Sequence, residues 1–182
     1  LVTDESYYFS KYNHCWGWAS WQRAWAHYDL DMTHWADYRD QGGLDAWADG
    51  SDAFKRYWTH TFNKVAAGEI DTWDYQWTFS CWIQNGLTCL PNKNLVKNIG
   101  FDGFGTHTTS KVDWRSTLEA DELQFPLVHP KYMARNVSAD IFSGKVCYGI
   151  KDEFVKGVKR TNYDRLRSSR LAQGLRALLQ RI

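Results

Sequence analysis

The 182-residue chain carries 22 Lys+Arg against 21 Asp+Glu, and 43% of it is hydrophobic. That balance fits about one folded domain and excludes a disordered polyelectrolyte. No apolar run approaches the roughly 20 residues of a membrane-spanning helix, and no secretory leader pattern opens the chain.

Aromatic residues make up 16% of the chain, with 11 Trp and 10 Tyr. Flat indole faces suit the C–H surfaces of sugars, but core packing uses the same residues, and core is the expectation for most of them. Cys15, Cys81, Cys89 and Cys147 form no C-x-x-C pair and share no metal-ligand spacing with histidines. They read as free thiols of a reducing compartment, so the expected location is cytoplasmic. Leu1-Val2-Thr3-Asp4 has no initiator Met and runs straight into an aromatic segment, so the natural protein is expected to begin upstream.

Residues 6–21 alternate aromatic and small side chains and read as a strand and loop. That alternation puts Trp16 and Trp18 on one strand face with Gly17 opposite. Ser20 is then expected to cap a helix running to about Arg39, ended by Asp40-Gln41-Gly42-Gly43. Ser51-Asp52 starts a second helix to about Ala67, with Phe54, Tyr57, Trp58 and Phe62 as its buried stripe and Gly68 as its stop.

The third helix is predicted from about Thr72 to Asn85. Trp73, Trp77 and Cys81 mark one face and Tyr75, Phe79 and Trp82 another, so it must be buried nearly all round. Asp71 and Asp74, three apart at its start, divide the work: Asp71 can cap backbone N–H groups while Asp74 projects from the first turn, free for chemistry. The plainer alternative is that both only cap and charge the helix end. Leu87–Leu90 and Leu95–Ile99 read as short strands around a Pro91-Asn92-Lys93-Asn94 turn. His107 follows in a Gly-rich loop, the kind of place where α/β proteins bind ligands.

Residues 151–182 differ in composition, with nine Lys/Arg against three acids. Leu171, Leu175, Leu178, Leu179 and Ile182 recur at helical spacing, so this tail is expected to end as a basic amphipathic helix. It could lie on an anionic membrane face, as a peripheral contact, or pack on another part of the protein or a second copy. No recognised motif supports nucleic-acid binding.

Ser6 to Tyr12, His14-Cys15-Trp16-Gly17-Trp18-Ala19-Ser20-Trp21, Arg23-Ala24-Trp25, Asp71 to Trp77, and Asn98-Ile99-Gly100-Phe101 with Thr106-His107-Thr108 form an ordered series. Over about residues 5 to 140 this series resembles the C-terminal half of bacterial nucleotide-diphospho-sugar transferases of the GT-A fold. The resemblance implies an α/β fold in which short mixed strands and three packed helices make up the acceptor-side portion, residues 1–150, followed by the helical tail 151–182. It implies polysaccharide biosynthesis by an inverting, metal-assisted transfer of sugar from a nucleotide-diphosphate donor to a carbohydrate or lipid-linked acceptor hydroxyl. Asp74 falls nearest the position of the family's general base, and His107 resembles its late ligand to a divalent metal, Mn²⁺ or Mg²⁺.

The family's donor-binding half, with its metal-binding D-x-D, has no counterpart here. Asp29-Leu30-Asp31 follows an amphipathic helix rather than an apolar strand and reads as a solvated helix end. Trp16, Gly17, Trp18 and Trp73 would line the acceptor or sugar pocket, with Gly17 allowing close backbone approach and Trp16 or Trp18 a stacking face. Burial of both indoles in the core fits the same spacing. A second function class stays open, a non-catalytic carbohydrate-binding or interaction domain.

Overall fold

The computed structural model describes residues 3–99 and 117–151. It is a mixed α/β structure with a two-stranded antiparallel sheet and, among the described residues, six helices. The strands are β1 (Tyr7–Ser10) and β2 (Thr88–Pro91), and the helices are α1 (Gln22–Trp25), α2 (Trp35–Asp40), α3 (Asp45–Ala48), α4 (Asp52–Ala66), α5 (Asp74–Ile83) and α6 (Val137–Cys147). His107 and the predicted tail helix lie outside the described residues.

The described chain divides into two compact units, each built from separate stretches. One comprises residues 3–8, 89–99 and 117–133. It is held largely by loop hydrogen bonds: Ser6 N–H donates to Val128 C=O at 2.8 Å and Asn92 N–H to Ser6 C=O at 2.9 Å. Leu95–Ile99 is not a strand, contrary to the pattern of its apolar residues. The Asn94 side-chain amide donates to the carbonyls of Val96 and Glu119, both at 2.9 Å, and these bonds stand where a strand would need a ladder.

The other unit, residues 9–88 and 134–151, carries all six helices and the core. Ser51 caps α4 as its sequence predicts, its hydroxyl accepting from Phe54 N–H at 2.8 Å. Phe54, Trp58 and Phe62 then recur at four-residue spacing on the buried face. Trp58 is wholly buried, and rings of Tyr12, Phe54, Phe62, Tyr75, Trp82 and Tyr148 surround it at centroid distances of 4.8–6.2 Å. The chain's many aromatics thus build much of its core.

The single helix expected from Ser20 to Arg39 is two short ones with an irregular link. Trp21, not Ser20, is the N-cap of α1, and it gives no side-chain cap. The link is fixed by Asp29, whose carboxylate accepts from Thr33 N–H at 2.6 Å, Thr33 O–H at 2.8 Å and Asp31 N–H at 3.2 Å. An aspartate that collects local backbone donors in this way replaces helical bonds with a turn. Neither α3 nor α6 is evident from apolar periodicity. In α6, Asn136 caps through Ala139 N–H at 3.0 Å and the buried positions are the small or polar Ala139, Asp140, Ser143 and Gly144.

Candidate functional site

The helix α5 positions the site. Six of its ten residues, Gln76 to Ser80 and Trp82, are buried, as its all-round apolar pattern predicts. Its N-cap is Trp73, with no side-chain cap. Asp71 therefore does not cap the helix; it lies exposed in the loop before it. A helix start displaced by two residues from Thr72 accounts for this, because a side chain two positions before the N-cap is out of reach of the first-turn donors.

Asp74 is the first residue of α5 and is half-buried. Both carboxylate oxygens have neighbours: Oδ1 accepts from the Thr72 hydroxyl, and Oδ2 from the Cys15 thiol, whose sulfur is 3.8 Å away. Cys15 is pushed up from the ordinary thiol range, first by burial and then by the charge of Asp74. The phenol of Tyr28 is raised by burial with Asp74 as the next cause, and that of Tyr75 is raised chiefly by burial, with neighbouring Tyr57 and, less, Asp74 adding to it. All three groups hold their protons at neutral pH.

Beside Asp74 the indoles form an exposed face. Trp18 stacks on Trp73 at 5.1 Å between centroids with 25° between planes, and both rings keep large exposed areas, 37% and 40%. Trp77, three residues after Asp74 and so on the same side of α5, lies 5.9 Å from Trp18 and 5.0 Å from Trp25. Trp25 stacks almost parallel on Tyr28 at 4.5 Å. Trp16 and Gly17 sit in the turn just before, not in a strand, and Gly17 holds φ of +63°, the left-handed region that favours glycine. The Gly17 of this turn serves the chain reversal that delivers Trp18 to Trp73.

The tryptophans thus split between two roles. Trp35, Trp47, Trp58, Trp77 and Trp82 are buried, whereas Trp16, Trp18, Trp21, Trp25 and Trp73 are exposed. Exposed clusters of large apolar rings mark binding surfaces more often than isolated ones do. Trp18 and Trp73, predicted to line a sugar pocket, are brought together, and Trp73 is the residue before Asp74. Trp25 and Tyr28 join them; neither was predicted to line the pocket, although Arg23-Ala24-Trp25 stands in the series of motifs.

A cleft of about 480 Å³ lies farther along α5, lined by His27, Tyr28, Asp29, Asp31, Ser80 and Gln84 among others. Asp29 is committed there to Thr33 and Asp31, and its own N–H donates to Ser80 Oγ at 3.2 Å, so Asp29-Leu30-Asp31 works as a turn. Among the described residues no three His, Cys, Asp or Glu side chains come together as metal ligands. His107, the residue expected to ligate Mn²⁺ or Mg²⁺, lies outside the described residues. Among them, too, no helix is long and apolar enough to cross a membrane.

No family model, curated protein or solved structure matches this chain.

Proposed function

We propose that the chain is the acceptor-side portion of a GT-A-type glycosyltransferase, with Asp74 as general base and the Trp18–Trp73 face as the seat of the acceptor sugar. The observation that carries this reading is a half-buried carboxylate on the first turn of a buried helix whose N-cap residue, Trp73, stacks on Trp18 with both rings exposed. The order of motifs that resembles the transferase family supports it independently, including Asp71 to Trp77.

The chemistry follows from those parts. A sugar hydroxyl is too weak an acid to ionise first, so its proton must leave as its oxygen attacks the anomeric carbon. Asp74 takes that proton while the bond from the anomeric carbon to the diphosphate oxygen breaks, the electron pair leaving with the diphosphate. Inversion at the anomeric carbon is the outcome of one such displacement. The indoles orient the acceptor by covering its C–H face, which holds the reacting hydroxyl near the carboxylate. In this proposal His107 would be one of the residues that hold a divalent cation, which would supply charge neutralisation for the departing diphosphate. The acceptor is a carbohydrate, free or lipid-linked.

A second reading, a carbohydrate-binding domain without catalysis, draws on the same indole face, since stacking alone needs no base. Trp18→Ala and Trp73→Ala separate the two when assayed in the full-length protein. Each is expected to raise the acceptor KM roughly 3–10-fold with kcat within about threefold, the worth of one lost aromatic contact. A saccharide affinity that falls by the same factor with no turnover by any form would favour the binding domain. Unchanged KM and unchanged affinity would remove the tryptophan face from the site.

A further inference from the structure

The two donors to Asp74 are unequal, and this decides which oxygen does the work. Resting on the base reading above, we infer that Oδ2 of Asp74 is the atom that receives the acceptor's proton, and that Thr72 and Cys15 are positioning residues that leave it the more basic of the two oxygens. Thr72 is two residues earlier, in the loop that leads into α5, and its hydroxyl, a full-strength donor, ties Oδ1. The partner of Oδ2 is a thiol, a weak donor at 3.8 Å that neutralises little of the lone-pair density. Cys15 comes from a segment 59 residues earlier, so the contact depends on the fold.

The half-buried thiol has a second effect. It is protonated, because burial and the carboxylate both oppose a thiolate beside Asp74. It therefore orients Oδ2 without adding a second negative charge. Among the described residues, the other titratable groups facing Asp74 are the phenols of Tyr28 and Tyr75, both raised and neutral. When the acceptor hydroxyl enters, its oxygen attacks the anomeric carbon, its proton passes to Oδ2, and the electron pair of the broken bond leaves on the diphosphate. The neutral carboxyl then returns the proton to water.

Geometry can be tested apart from activity. In the full chain, the rate of Cys15 alkylation by iodoacetamide is followed against pH, with the other thiols resolved by peptide mapping. Asp74→Asn should move the midpoint of the Cys15 profile to lower pH, because the charge opposing the thiolate is gone. An unmoved midpoint overturns the inference and leaves the base reading standing.

The kinetic arm uses Cys15→Ser, Cys15→Ala and Thr72→Val with the pH profile of kcat/KM. Serine supplies a stronger donor to Oδ2, favours the charged carboxylate and so lowers the pKa of the base. Its acid limb should shift to lower pH and its plateau fall about tenfold, as expected of a weaker base. Removing the Thr72 donor should move the acid limb the other way, and Cys15→Ala, which removes the weaker donor, should move it in that same direction by less. A Cys15→Ser profile superimposable on wild type, with Asp74→Asn inactive, would overturn the assignment of Oδ2 alone; an active Asp74→Asn would overturn the base reading itself.

Discussion

Asp140→Ala is expected to cost about 3–5 kcal/mol of folding stability, the usual result of removing one partner from a buried ion network. Asp140 is 0% exposed, and Lys11 is 4% exposed. The Asp140 carboxylate accepts from Ser10 O–H at 2.5 Å and Lys11 N–H at 3.3 Å, and lies 3.5 Å from the Arg135 guanidinium. Arg135 also pairs with Asp49, which in turn lies 3.3 Å from Lys11 Nζ. The ammonium donates to Trp47 C=O at 2.6 Å and lies 3.9 Å from the centre of the Phe54 ring. Without Asp140, the buried Lys11 ammonium and the half-buried Arg135 guanidinium would share one carboxylate.

The same network predicts a pH dependence. Burial raises Asp140 to about 6 and lowers Lys11 to about 8. The folded protein holds the Asp140 proton more tightly than the unfolded chain, so this group's contribution is full below about pH 4 and is lost as pH rises through about 6. For Lys11 the folded state binds its proton less tightly. Its contribution is present above the unfolded pKa of 10.5 and is lost as pH falls through about 8. Urea unfolding of wild type and Asp140→Ala at pH 4.5 and 7 checks both claims: the alanine protein should be less stable at each pH and lack the Asp140 part of the slope between them. Equal midpoints at pH 7 would show that the network is not a net support of the fold.

Asp74→Asn should reduce acceptor-dependent transfer by at least about 100-fold while leaving donor affinity nearly unchanged. A positioned base contributes about 10²–10⁴-fold, and the amide keeps the size of the side chain but cannot take the proton. Asp74 is half-buried, and the amide oxygen can still accept a hydrogen bond, so the fold should survive. Asp71→Asn is the control. Exposed and outside the helix cap, it should keep activity and change stability by no more than about 0.5 kcal/mol. A full loss in Asp71→Asn with an active Asp74→Asn would exchange their roles.

What the sequence makes legible is local. Ser51 before a Phe54, Trp58 and Phe62 stripe announces α4, and the apolar surround of Trp77, Phe79 and Trp82 announces the burial of α5, because cap and periodicity act over a few residues. The break between α1 and α2 is hidden by Asp29, whose competing turn bonds depend on Thr33 as much as on itself. The helix α6 is hidden because it buries small and polar side chains against a charge network. That network joins Ser10, Lys11, Asp49, Arg135 and Asp140 across separations of up to 130 residues, a pairing no pattern of neighbours reveals.

The site divides along the same line. Asp74 in a first turn and Trp73 beside it are readable from spacing. The thiol of Cys15 on Oδ2 and the stacking of Trp18 on Trp73 are not, because both depend on the turn at Gly17 bringing distant chain onto α5. The expected cap at Asp71 failed for a simpler reason: two carboxylates three apart fit several helix starts, and sequence alone does not choose among them.

Release of nucleoside diphosphate from uridine, guanosine and thymidine diphosphate sugars by the full-length protein, measured with Mn²⁺ in the presence and absence of an oligosaccharide acceptor, tests the account most directly. Release that depends on acceptor, matches the glycoside formed and disappears in Asp74→Asn is the predicted result. Saccharide binding that perturbs Trp18 and Trp73 with no release from any donor, or release unaltered in Asp74→Asn, would contradict it.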